Sequence, residues 1–149
     1  REQRLPSWMT ELEWDMTVKS FTTSIFAGEQ GLETLDYQGH QLLISGPEMA
    51  FMECLHLAPY QFALLDLYYV MEMLTTLRPK LVQKLLEGCS SVKVKRLFLY
   101  MAQKAGHQWF KALDLSKIDL GTGKHLFAES GRYISEYLIT IPAELADYE

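Results

Sequence analysis

Two cysteines and four histidines in 149 residues leave little material for metal or disulfide chemistry. Cys54 and Cys89 stand far apart, and neither has a second thiol at ligand spacing, so both are expected to be small core or boundary residues in a reducing compartment. Cys54 and His56 are two positions apart on an expected helix, about 200° around its axis, and therefore point away from each other. His40 and His125 have no neighbour at ligand spacing, so no zinc site and no cofactor is expected. Nor does any apolar run approach the roughly 18 residues of a membrane span. The first residues lack the charged, apolar and cleavage regions of a secretion signal. A cytoplasmic location without a membrane partner follows as an expectation.

Catalytic signatures are equally sparse. The stretch "LGTGKHLF" suggests a phosphate loop, but Ile118 stands where the first glycine belongs and His125 where the hydroxyl after lysine belongs; a turn is expected. No Asp or Glu is followed two positions later by Lys, which removes one strand-borne nuclease arrangement, and there is no Gly-x-Ser-x-Gly elbow. The chain does not read as an enzyme.

What is present is enough apolar material for one core: 48% hydrophobic content, with aromatics from Trp8 to Tyr148 and no low-complexity tract, fits a single domain spanning 1–149. Charge is unevenly placed. Residues 1–76 carry three basic side chains against eleven acids, whereas residues 77–149 carry eleven against eight. Between Arg78 and Lys111 eight basic residues meet one acid, Glu87.

Along the chain, "MTVKSFTTSIF" (16–26) has strand composition, and "GLETLDYQGHQLLIS" reads as two strands turning at Gln38-Gly39. Gly46-Pro47 opens a helix that Pro59 ends. "YQFALLDLYYVMEMLTTL" is apolar nearly all round, which predicts the most buried element. "RPKLVQKLLEGCSS" gives a third helix stopping at Gly88, and Ser90 or Ser91 caps a fourth. A short helical turn follows Gly106, and "KHLFAESGRYISEYLITIP" reads as a hairpin or two strands around Ser130-Gly131. The fold class is therefore α+β: a mostly antiparallel sheet from N- and C-terminal strands, with about four helices packed on it.

The fourth helix carries the strongest functional signal. Val94, Leu97, Phe98, Met101 and Ala105 make its core face, while Lys93, Arg96, Tyr100, Lys104 and His107 follow helical steps along a second stripe. Lys95 points elsewhere and Lys111 lies just beyond, beside Trp109. So concentrated a set of cations and aromatics is the composition of an interface with an anionic partner, and charge reversal at Lys93 and Arg96 is expected to spare folding.

At "GCSSVKVKRLFLYMAQKAGHQWFKALDLSKIDLGTGKHLF" the chain strongly resembles the AbiEi-type antitoxins of type IV bacterial toxin-antitoxin systems. "LISGPEMAFMECLHLAP", "LPSWMTELEW" and "RYISEYLITIP" extend the resemblance over nearly the whole chain. It implies the C-terminal antitoxin domain of a two-part phage-defence (abortive infection) regulator, with an N-terminal winged helix-turn-helix upstream that binds promoter DNA. It also implies a nucleotidyltransferase-like toxin countered without a stable complex, and an electropositive face carried here by Lys93, Lys95, Arg96, Lys104 and Lys111, with His107 in the same stripe. RNA or a nucleotide is a further candidate partner. Two alternatives stand beside this: a DNA-reading helix pair over 78–105, and an enzyme reversing the toxin's modification.

Overall fold

The computed structural model describes Ser7, Glu11, Glu13 and residues 15–149. The stretch 5–14 used in the resemblance lies mostly outside them. Two strands, β1 (Leu32–Tyr37) and β2 (His40–Ser45), form an antiparallel hairpin in the register Leu32 to Ser45 and Tyr37 to His40. Gln38 and Gly39 both have positive φ, as a tight two-residue hairpin turn requires, and Asp36 accepts from the Gly39 N–H.

Four helices follow: α1 (Pro47–Leu57), α2 (Leu64–Met73), α3 (Pro79–Gly88) and α4 (Val92–Ala105). Ser91 is the residue that caps α4, accepting from the Val94 N–H, and Gly106 ends it in the left-handed conformation at φ 71. A 3-10 turn at Gln108–Ala112 and a shorter one at Leu115–Lys117 lead to β3 (His125–Leu126), β4 (Gly131–Ile134), β5 (Ile139–Pro142) and a closing helix α5 (Ala143–Asp147).

The class is α+β, with its strands divided between two small sheets instead of one. The second has the order β3-β5-β4, with β3 parallel and β4 antiparallel to β5. Three expectations are corrected. Residues 17–24 form no strand, because strand-forming side chains make a strand only where a neighbouring backbone accepts the ladder, and β1 and β2 pair with each other. The reversal of the C-terminal hairpin falls at 135–138, where Leu138 has φ 53; Gly131 instead opens β4, and a Cβ there would lie 2.0 Å from the Ile141 carbonyl oxygen. The most buried helix is α4, not α2: Tyr69, Val70 and Met73 of α2 face solvent, whereas every residue from Val94 to Ala102 is buried.

Centrality explains that run. Phe98 meets Phe51 of α1 edge-on at 5.9 Å and Trp109 at 6.0 Å, and Tyr100 meets Tyr137 at 6.4 Å. With neighbours on nearly every side, α4 has no broad solvent face.

Candidate functional site

A helix leaves its last carbonyls without intrahelical partners and collects partial negative charge there. The C-terminal ends of α1, α2 and α5 all come to α4 or the turn after it, and each is met by a polar donor from the expected stripe. Lys93 Nζ donates to the His56 and Ala58 carbonyls at the end of α1, the latter at 2.7 Å. His107 Nε2 lies 2.6 Å from the Met71 carbonyl at the end of α2; a carbonyl only accepts, so this nitrogen carries the proton. Trp109, stacked on His107 at 5.2 Å, donates to the Leu74 carbonyl just past the end of α2 at 2.8 Å. Lys104 Nζ donates to Ala146 and Tyr148 at the end of α5.

The two remaining cations of α4 hold loops. Lys95 Nζ donates to the Asp119 carbonyl at 3.0 Å. Arg96 is 1% exposed and donates to Leu120, Gly123 and Leu138 carbonyls, with no carboxylate at ion-pair distance among the described residues and its Nη2 buried without a hydrogen-bond partner. The Gly-rich "LGTGKH" is thus a turn, as expected, and its polarity is opposite to a phosphate loop: carbonyls face inward on a protein cation.

This corrects the expected exposed face. Lys95, Arg96 and His107 are buried, Lys93 and Lys104 are partly buried with their ammonium groups on carbonyls, and only Lys111 of the six stands exposed, bonded to Gln108. Helical spacing grouped the residues correctly but carried no information about the three helix ends arriving on that side. The same burial removes the alternative reading of 78–105 as a DNA-reading pair, since α4 has no face left to enter a groove.

Exposed positive charge lies elsewhere, on α3 and the turns after α4. Val82, Leu85 and Leu86 bury one side of α3, leaving Lys80 and Lys84 outward, one helical turn apart and without hydrogen-bond or ion-pair partners among the described residues. They line a groove of about 420 Å³ with Pro79, Gln83, Ala112 and Lys117 and with two acids, Glu87 and Asp114. Its floor is fixed: the Gln83 amide both donates to the Asp114 carbonyl (3.0 Å) and accepts from the Asp114 N–H (2.9 Å). Asp114 is held below the ordinary carboxylate range by the Ser116 hydroxyl and Lys117, and so serves as a local partner of Lys117. Glu87 accepts from Gln83. Lys111, one residue before Ala112, is exposed and bonded to Gln108, outside the lining of the groove. Sequence reasoning placed Lys80 and Lys84 within the basic region but passed over them; the amphipathic pattern of α3, with its apolar triplet opposite two lysines, was the available signal.

At the N-terminal end of α3 the charge is neutralised. Burial would raise the Glu48 carboxyl, but hydrogen bonds from the Arg78 side chain and N–H outweigh it and hold Glu48 low. Arg78 also bridges to Glu33 of β1, tying the hairpin to both helices. No group of three or more His, Cys, Asp or Glu suited to a metal occurs among the described residues. No helix there is long and apolar enough to cross a membrane.

The family model described as transcriptional regulator, AbiEi antitoxin, type IV toxin-antitoxin system matches residues 1–142. No curated protein and no solved structure matches the chain.

Proposed function

Since the chain belongs to this family of AbiEi antitoxins, transcriptional regulators of type IV toxin-antitoxin systems, we propose that it is the antitoxin domain that neutralises a nucleotidyltransferase-like toxin in the cytoplasm, as a binding module and without a stable toxin complex. The observation that carries the binding-module reading is the pair Lys80 and Lys84: two cations without an ion-pair partner among the described residues, over a fixed groove with Lys117 on its border and Lys111 exposed nearby in sequence. Of the residues singled out by sequence, Lys111 alone is exposed; Lys93, Lys104 and His107 hold helix ends around α4, and Lys95 and Arg96 hold loops.

The partner of the groove is a phosphate backbone, the RNA that the toxin would otherwise act on. Reading of promoter DNA, and with it autorepression, belongs to a winged helix-turn-helix in the N-terminal part of the full-length protein. Lysine is a point-charge donor suited to sequence-independent phosphate contacts, so affinity should fall steeply with salt.

Rescue of cells expressing the cognate toxin tests this, comparing wild type with the Lys80→Glu, Lys84→Glu, Lys111→Glu triple variant. Loss of rescue by a folded variant supports the groove. Full rescue removes it as the working surface.

A further inference from the structure

One member of the α4 stripe keeps an opening to solvent. Lys93 lies on the floor of a separate concavity of about 310 Å³, walled by Pro59 and Tyr60 on one side and by Leu126, Phe127, Ala128 and Glu129 on the other. Its ammonium group is fixed by two carbonyls at the end of α1, which leaves its third N–H unassigned by any contact. No carboxylate forms an ion pair with it among the described residues. Burial pulls it below the ordinary lysine range.

The mouth is apolar. Tyr60 is 92% exposed and Leu126 66% exposed, so an aromatic ring and an aliphatic side chain flank the entrance with little of their surface covered by the protein. Apolar side chains exposed together at the mouth of a cavity mark a binding surface more often than a solvated one. Tyr60 offers a π-face for stacking, the immobilised Lys93 offers a cation in the same concavity, and Glu129, also lining it, offers an acceptor.

We propose that this concavity binds a nucleoside 5′-phosphate, free or at the end of an RNA, with the phosphate on Lys93, the base on Tyr60 and a sugar hydroxyl or base amino group on Glu129. A simple anion would use the lysine but not the exposed ring; a fatty acid would use the lysine and the apolar mouth but not Glu129. A nucleotide engages all three. The volume is at the lower end of the range for small-molecule sites, about 300–1,000 Å³, and favours one nucleotide unit over a longer segment. This site is independent of the α3 groove and stands or falls separately from it.

The test is a titration of the chain, followed by amide chemical shifts, with each of four nucleoside 5′-monophosphates, a 5′-phosphorylated RNA oligonucleotide, inorganic phosphate and oleate. Saturable shifts confined to 60, 93 and 126–129 are expected for the nucleotides. Tyr60→Ala, an exposed position whose loss spares folding, should raise Kd about tenfold or more, and Lys93→Met by a similar factor. Lys80→Glu should leave it unchanged. Tighter binding of the RNA than of the mononucleotides identifies an RNA end as the source; the reverse identifies a free nucleotide. Binding of inorganic phosphate as tightly as any nucleotide, preference for oleate, or no saturable shift at about 10 mM ligand, well beyond the range of ordinary small-molecule sites, overturns the proposal. If Lys93→Met fails to fold, Tyr60→Ala alone decides.

Discussion

Helices α3 and α4 are consecutive, both rich in lysine or arginine, and separated by only Cys89 to Ser91, yet their cations do opposite things. On α3 the apolar triplet faces inward and Lys80 and Lys84 face out. On α4 the cations themselves turn toward protein, and their partners are the main-chain carbonyls of two helix ends and two loops, while His107 in the turn after α4 meets the end of α2. The two helices differ less in sequence pattern than in position. A peripheral helix can give its charges to solvent, whereas a central one surrounded by helix C-termini supplies the donors those ends lack. In a chain of net charge −5, a concentration of positive charge is therefore partly an internal structural device.

The comparison breaks first at Arg96. Arg96→Glu should lower stability by about 3–5 kcal/mol or more, because it leaves the Leu120 and Gly123 carbonyls without donors and buries a charge of the wrong sign. Against a total of about 5–15 kcal/mol for a domain, that suffices to unfold much of the population. Urea denaturation checks it. A change under about 1 kcal/mol would mean that Arg96 is solvated and that α4 offers a basic surface after all.

How much of this was legible beforehand follows from which interactions are local. The Gln38-Gly39 turn, the Pro47 start, the Gly88 stop and the Ser91 cap depend on a few adjacent residues, and all four were readable. So was the core face of α4 from Val94 to Met101. The partners of Lys93, Lys104 and His107 lie 35 to 44 residues away along the chain, and nothing in a helical repeat reports which helix ends will arrive there. Residues 17–24 failed as a strand for the same reason: composition favours the conformation, but the partner is non-local. At the candidate surface, the basic region is legible and the amphipathic pattern of α3 points to Lys80 and Lys84, but not the non-local approach of 112–117 that completes the groove.

The next prediction separates the two kinds of partner. Arg78, at the head of α3, is held by the carboxylate of Glu48, whereas the α4 cations rest on carbonyls, which do not titrate. The folded Glu48 carboxyl is held below its ordinary value of 4.5, so its contribution is fully present above that pH and is lost as pH falls through the lower, folded value. Glu48→Gln should weaken the fold near neutrality by about 1.5–3 kcal/mol and flatten its decline between about pH 5 and the folded value. Lys104→Met, by contrast, should weaken it to the same extent at both ends of that range. Denaturation midpoints against pH read both. Equal acid slopes in wild type and Glu48→Gln would assign the acid loss to other carboxylates.

A smaller effect is expected from Lys104→Met itself. The variant leaves the Ala146 and Tyr148 carbonyls without their donor and removes a cation 5.7 Å from the Tyr68 ring, but Leu145 stays in the core. About 1–2 kcal/mol should go, mostly as loosening of α5. Faster amide exchange confined to 143–149 is the signature; exchange spread evenly over α4 would show that Lys104 supports the whole core.

The smallest stability effect sharpens the contrast most. Lys80 and Lys84 touch no partner among the described residues, so Lys80→Glu and Lys84→Glu should each shift stability by no more than about 0.5 kcal/mol. A small favourable change at Lys80→Glu is consistent, since position 80 lies in the first turn of α3 and Lys117 lines the same groove. Yet the same two changes should abolish most of the salt-dependent affinity for RNA, because they replace the two cations free to displace counterions. A large loss of binding with little loss of stability on α3, set against a large loss of stability from a single reversal on α4, would place the working charge and the structural charge on adjacent helices. If the α3 variants instead unfold the protein, Lys80 and Lys84 have partners in solution, and the exposed groove is itself part of the scaffold.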